Sequence, residues 1–258
     1  MTILVSNDDG YDSPLLGYLL EELKGLGEIT VVVPSEEQSW TGKSISRFGE
    51  MEESLVNISG HDVKCFNGRP ADCVNYGIYH LYKTKPDLVI SGINIGFNCG
   101  VSYILSSGTV GACLEANIAG VPALSLSRRM SPQAYQLWAK ERRISDEDQI
   151  VIRQEVKKIM NELRERLFSR KDFLSEAVTW QVEMPQDLAD NWKIESAVLG
   201  HSFYGSLFEK GKDNLFRHCL KRHDVDTRAN ADINIIARGN VSLAKLDIKQ
   251  IGQQPVDI

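Results

Sequence analysis

Thr2-Ile3-Leu4-Val5-Ser6-Asn7-Asp8-Asp9-Gly10 passes from a short apolar run directly into two adjacent carboxylates, and Ile29-Thr30-Val31-Val32-Val33 repeats the apolar half of that pattern. Short continuous apolar runs are the signature of strands buried on both faces. Between them Leu15, Leu16, Leu19, Leu20 and Leu23 recur at helical spacing, with Pro14 near the start and Gly25 and Gly27 at the end. A right-handed crossover lays the second strand parallel to the first. An open sheet of this type binds ligands beyond the carboxyl ends of its strands, which is where Asp8 and Asp9 fall.

The same alternation continues outward. Residues 44–67 read as a hairpin excursion carrying Ile45, Leu55, Val56, Ile58, Val63, Cys65 and Phe66, with Gly60 turning. A helix beginning near Pro70 places Val74, Ile78 and Leu81 on one face. Residues 87–92 and 121–126 give a third and a fourth core strand, with a helix between them starting near Ser107-Gly108-Thr109. This predicts an α/β fold: a doubly wound, mostly parallel Rossmann-like sheet in a three-layer αβα core. After Ser127 the character changes. Residues 141–172 read as a long surface helix with the stripe Ile150, Val151, Val156, Ile159, Met160, Leu163 and Leu167, and residues 178–200 and 232–248 as strands without helical partners. We expect a single domain over 1–258, with a core of about 1–127 and an irregular C-terminal extension of about 128–258 that packs on the core or on another subunit.

The formal charge of −6 argues against a broad nucleic-acid surface, and no stable nucleic-acid partner is expected. No apolar run approaches the roughly 20 residues that span a bilayer. The start of the chain lacks a basic n-region and turns acidic early, unlike a signal peptide. Cys65, Cys73, Cys99, Cys113 and Cys219 are odd in number and lack CxxC spacing, so they read as small buried residues of a reducing compartment. The expected location is the cytoplasm.

Three loops follow predicted core strands: Asn7-Asp8-Asp9-Gly10, residues 35–44, and residues 91–100 leading to Ser107-Gly108-Thr109. In a doubly wound sheet they open at one edge and converge on one crevice. Adjacent carboxylates raise each other's pKa unless a cation neutralises them, and oxygen-rich sites suit Mg²⁺, Mn²⁺ or Ca²⁺. A polar turn with Gly10 in a left-handed conformation is the alternative reading of the first loop. Glycines in the third loop let backbone N–H groups approach an anion, and the helix start near Thr109 favours phosphate. Gly42-Lys43-Ser44 is not a P-loop ending, because Glu37 stands where the loop needs glycine. An aspartyl-phosphate phosphatase would space its aspartates two residues apart, whereas Asp8 and Asp9 are adjacent. His61, His80, His201, His218 and His223 fall outside the three loops, and most of them read as surface or packing residues. Trp40 could stack on a base or pack as a lid.

Asn7-Asp8-Asp9-Gly10, residues 38–45, Gly68-Arg69-Pro70-Ala71-Asp72-Cys73-Val74, residues 91–98 and Ser107-Gly108-Thr109-Val110-Gly111-Ala112 occur in one order. As a set they resemble the stationary-phase survival protein SurE family of metal-dependent 5′/3′-nucleotidases. The resemblance covers about residues 1–127 and thins afterwards to residues 182–185 and 239–243. It implies one divalent cation per subunit, Mg²⁺ or Mn²⁺, on Asp8, Asp9, Ser39 and Asn94. It also implies a phosphate pocket from Asn98, Ser107, Gly108 and Thr109, catalytic roles for Asp8 and Asp9, and a substrate loop with Trp40 and Lys43. Nucleoside monophosphate substrates follow from it, as does a homodimer or homotetramer that exchanges C-terminal segments. Lys43 stands where the family commonly has histidine and Arg69 where it has threonine; one residue is added between Asn98 and Ser107. Leu105-Ser106 lacks the usual aromatic, and Val101-Ser102 replaces an acidic or polar pair. These departures leave the implied ligands intact and bear on substrate placement. The rival reading is a nucleotide-binding or sensing protein with weakened turnover.

Overall fold

A computed structural model describes residues 1–202, 204–220 and 226–254. The first strand, β1 (Thr2–Ser6), leads into helix α1 (Pro14–Leu23) and returns as β2 (Glu28–Pro34), parallel to β1. Alternate residues of the strands face opposite layers. Ile3, Val5, Val31 and Val33 pack with the α1 leucines, while Leu4 and Val32 pack on the other face of the sheet. All five α1 leucines are inaccessible to solvent, each contributing about 1.5–3 kcal/mol of burial.

The hairpin strands β3 (Glu53–Ile58) and β4 (His61–Phe66) turn at Gly60 as read, but they are no excursion: β4 pairs in parallel with β2 and extends the sheet. Ile45 lies outside any strand. Helix α2 (Pro70–Tyr76) continues as a π-helical turn over Gly77–Leu81. The third core strand, β5 (Leu88–Ile95), runs beyond Gly92, so half of the expected third loop is strand. The residues after Gly100 form a short helix, α3 (Val101–Ser106), which sequence periodicity is too brief to reveal. Helix α4 (Gly108–Ile118) and strand β6 (Ala123–Arg128) follow as predicted.

A separate helix that the sequence did not suggest, α5 (Pro132–Glu141), precedes the long helix expected over 141–172, which is present as α6 (Asp146–Leu163), continued by a π-helical turn over Arg164–Phe168. The inward stripe is Ile152, Val156, Ile159, Met160 and Leu163, whereas Ile150 and Val151 are 61% and 48% exposed. Strands β7 (Thr179–Met184) and β8 (Ile194–Ser196) precede the small exposed hairpin β9 (Phe208–Lys210) and β10 (Phe216–His218). Residues 232–237, expected as strand, are helix α7 (Asp232–Ala237), and β11 (Val241–Leu246) closes the fold.

Among the described residues the main sheet runs β3-β4-β2-β1-β5-β6-β7-β11-β8. The five neighbouring pairs from β4 to β7 are parallel, β3 meets β4 and β11 meets β7 antiparallel, and β8 at the far edge pairs with β11 in parallel. Thus β7, β11 and β8 bring the expected C-terminal extension into the same sheet. Helices α1 and α6 cover one face and α2 and α4 the other, giving the three-layer α/β architecture. The strand order reverses at β1, between β2 and β5, and the edge there is the ligand-binding position of such sheets. Four cysteines are buried and Cys219 is half-buried. Among the described residues no helix is long and apolar enough to cross a membrane.

Beside this edge Arg128, at the end of β6, is buried and gives its guanidinium to Glu155 of α6 at 2.6 Å and to the carbonyls of Pro185 and Gln186 at 2.8 and 2.9 Å. Removing one partner of a buried pair leaves an uncompensated charge. Glu155→Gln is expected to lower stability by about 3 kcal/mol, read as a shift in the midpoint of chemical denaturation.

Candidate metal and phosphate site

The first loop is a fixed turn. Asn7 Nδ2 donates to the Gly10 carbonyl at 2.8 Å, and the Gly10 N–H donates back to Asn7 Oδ1 at 3.2 Å. Gly10 sits at φ +88°, as the sequence suggested. Asp8 and Asp9 follow from this turn with only 3% and 1% exposure. Asp8 Oδ1 accepts from the Thr109 hydroxyl at 2.5 Å, and Asp9 Oδ2 accepts from the Ile95 N–H at 2.8 Å. Burial pushes the Asp8 carboxyl up to about 6, against the lowering effect of the Thr109 hydrogen bonds. Burial and then the Asp8 charge push Asp9 well above the ordinary carboxylate range. A cation held between them would relieve both penalties.

The second loop is tied to the first. The Gln38 N–H donates to the Asp8 carbonyl at 2.7 Å, and Ser39 Oγ donates to Glu37 at 2.7 Å. Arg142, which the sequence did not suggest, fastens the two loops together. It binds Asp12 at 2.6 Å and Glu37 at 3.0 Å, donates to the Asp9 carbonyl, and lies 3.7 Å from the Trp138 ring. Lys43 instead pairs with Glu115 of α4 at 2.7 Å and is not among the residues lining the cavity described below.

In the third loop Asn94 belongs to β5, where the register against β6 shifts between Ser91 and Asn94. Asn98 is held on three sides: its Nδ2 donates to Ser127 Oγ at 2.9 Å, its N–H to Glu183 Oε2 at 2.9 Å, and its carbonyl accepts from Gln181 Nε2 at 2.8 Å. Glu183 is fully buried, and burial pushes its carboxyl up to about 7 despite the hydrogen bonds from Asn98 and Gln181. Asp232 of α7 accepts the N–H groups of Gly100 and Gly200 at 2.6 and 2.9 Å. Ser107 then caps α4, its Oγ accepting from the Val110 N–H at 3.1 Å.

The loops meet at a cavity of about 480 Å³ whose wall includes Asp8, Ser39, Trp40, Asn94, Asn98 and Ser107. Asp9, Gly108 and Thr109 are packed behind that wall. Thr109 is spent on Asp8, and a Cβ on Gly108 would lie 2.8 Å from Asp8 Cβ. His218 falls outside the three loops, as read, yet it lines the cavity from β10. Tyr103, Arg129, Tyr135, Gln186 and Leu220 also reach it, and no local pattern in the sequence signals them. Tyr103 supplies an aromatic from the altered loop, at a different position from the one that the family resemblance leads one to expect. Asp8, Asp9, Ser39 and Asn94, the ligands that the resemblance implies, offer carboxylate, hydroxyl and amide oxygens, the donor chemistry that suits Mg²⁺ or Mn²⁺.

Residues 3–206 match the family model described as Survival protein SurE. The chain belongs to the SurE family. A protein named 5′-nucleotidase SurE from Methanoculleus marisnigri is 31% identical over 95% of this chain and 91% of its own length. Another of that name, from Thermofilum pendens, is 45% identical over 49% of this chain, a match spanning about half (48%) of that relative. The crystal structure of the SurE protein from Aquifex aeolicus superposes with a TM-score of 0.71 at 25% identity, covering 97% of this chain and 95% of that one.

Gly108→Ala forces a methyl against Asp8 Cβ at 2.8 Å and the Gln38 carbonyl at 3.0 Å, so it is expected to destabilise the SurE fold by about 1–3 kcal/mol in denaturant titration. Glu183 holds its proton more tightly folded than unfolded, so its contribution to stability declines as pH rises. Wild-type stability should therefore fall between pH 4.5 and about 7, and the fall should flatten in Glu183→Gln; parallel curves for the two proteins would contradict this.

Proposed function

We propose that this protein is a divalent-metal-dependent phosphomonoesterase that hydrolyses nucleoside 5′-monophosphates, with 3′-monophosphates as a second substrate class, to nucleoside and phosphate. One observation carries the reading: Asp8, Ser39, Asn94, Asn98 and Ser107, from three separate loops, share one cavity wall at the carboxyl edge of the sheet. The full-length relatives named 5′-nucleotidase support the choice of nucleotides.

Asp8, Asp9, Ser39 and Asn94 are the residues that would hold one Mg²⁺ or Mn²⁺ per subunit. When bound, such a cation lowers the pKa of water and polarises a phosphoryl oxygen. The chain's own groups do the rest. Asn98 has a second amide hydrogen beyond the one given to Ser127, and the Ser107 hydroxyl accepts from Val110 while its own proton is free to point outward. Both can donate to the equatorial phosphoryl oxygens, where charge accumulates. Gly108 lets the α4 N-terminus approach closely, and that end of a helix favours an anion. Asp8 faces the cavity and can orient a water for attack, while Asp9, behind it, fixes the β5 edge through Ile95.

Self-association as a dimer or tetramer through the C-terminal half belongs to the same reading, supported by the exposed Phe208, Leu215 and Phe216 around the small hairpin. A cytoplasmic setting rests on the buried thiols of Cys65, Cys73 and Cys113.

The deciding assay is phosphate release from 5′- and 3′-nucleoside monophosphates with Mn²⁺, Mg²⁺ or EDTA. Release should require the metal, and Asp8→Asn, Asp9→Asn and Asn98→Ala should each lower kcat by on the order of 10²–10³-fold. Metal-dependent nucleotide binding without release would replace the enzyme by the sensor reading.

A further inference from the structure

The polar end of the cavity accounts for a phosphate and a cation, and its other wall is aromatic. Trp40 is the hub. Its ring centroid lies 6.0 Å from Tyr103, 5.6 Å from Tyr204 and 5.3 Å from His218, at interplanar angles of 55°, 71° and 63°. None of these rings lies parallel to the indole, which stays 38% exposed. Its backbone sits at φ +65°, a conformation that a bulky L residue rarely adopts and that concentrates at ligand clamps. Four chain segments far apart in sequence build this wall. Tyr204 fastens its segment to α3, its hydroxyl 2.7 Å from Ser106 Oγ, and β10 then brings His218 to the cavity. An exposed indole in a strained backbone position, beside a site built for an anion, is an arrangement that folding alone does not require.

We propose that the aromatic wall is a nucleobase subsite in which Trp40 stacks on the base of a bound nucleoside monophosphate, with Tyr103 and His218 closing its sides. This rests on the phosphomonoesterase reading and adds its source of selectivity: nucleotides over sugar phosphates of the same charge. A cavity of about 480 Å³ is of the size that small-ligand sites use, roughly 300–1,000 Å³. Stacking reads the face of a base and not its edge, so the bases are accepted with similar efficiency.

The test is kcat/KM for AMP, CMP and ribose 5-phosphate in the metal-loaded wild type, Trp40→Ala, Trp40→Phe and His218→Ala. In the wild type both nucleotides should exceed ribose 5-phosphate by about fivefold to a hundredfold, the span of base–aromatic stacking. Trp40→Ala should collapse that ratio, His218→Ala should reduce it, and Trp40→Phe should retain most of it. A ratio near one in the wild type, or one unchanged in Trp40→Ala, overturns the proposal. If Trp40→Ala fails to fold, the ratios in Trp40→Phe and His218→Ala decide. Should the wild type release no phosphate from any compound, the enzyme reading fails separately. Tryptophan fluorescence then judges the subsite: quenching by AMP but not by ribose 5-phosphate supports it, and equal or absent quenching overturns it.

Discussion

Asp8 and Asp9 are held side by side, out of water, at the point where the strand order turns back on itself, and no folded chain keeps two such charges together without compensation. Each is met by a donor from a different element: the Thr109 hydroxyl at the start of α4 and the Ile95 N–H at the end of β5. The Asn7–Gly10 turn sets their direction, and Arg142 brings a positive charge against the loop from outside. Much of the surrounding architecture follows from satisfying this pair. The α4 N-terminus must come close, which Gly108 permits, and the second loop must lie over the first, which Gln38 and Arg142 enforce.

The Asn98 side of the cavity depends on quite different parts of the chain. Asn98 takes its position from Ser127 at the end of β6 and from Gln181 and Glu183 on β7, while Asp232 of α7 anchors the following Gly100. The first half of the chain thus supplies the polar loop residues of the cavity, and the second half supplies much of their alignment together with part of the opposite wall. A misplacement of about 1 Å at a reacting group can cost roughly a hundredfold in rate, so alignment of this kind is as consequential as the groups themselves.

The parts of the fold legible in the sequence were those with local causes. The runs at Ile3–Val5 and Val31–Val33 and the leucine spacing of α1 are read from near neighbours, and so is the turn at Gly10. Local signals misled where they were brief or shared by two structures. Ile233, Ile235 and Ile236 are β-branched and look like strand, yet Asp232–Ala237 is helical because tertiary packing overrides that preference. Ile150 and Val151 fit an apolar stripe by type, but Ile152 occupies the inward position. Arg142, Tyr204, His218 and Glu183 were illegible for a simpler reason. Each joins the cavity or its supports through contacts across many residues, and nothing in its own neighbourhood carries that information.

The span between Asn98 and its anchors bears on how the protein is made. A chain emerging from the ribosome has synthesised Asp8, Asp9, Ser39, Asn94, Asn98 and Ser107 well before it reaches Gln181 and Glu183, the two residues of β7 that fix the Asn98 backbone. During that interval the polar groups of the first three loops exist in an unfinished molecule, with the asparagine not yet aimed and His218 not yet made. Completion of the polypeptide thereby acts as a built-in delay: the Asn98 backbone is not fixed until the last third of the chain has been translated and packed.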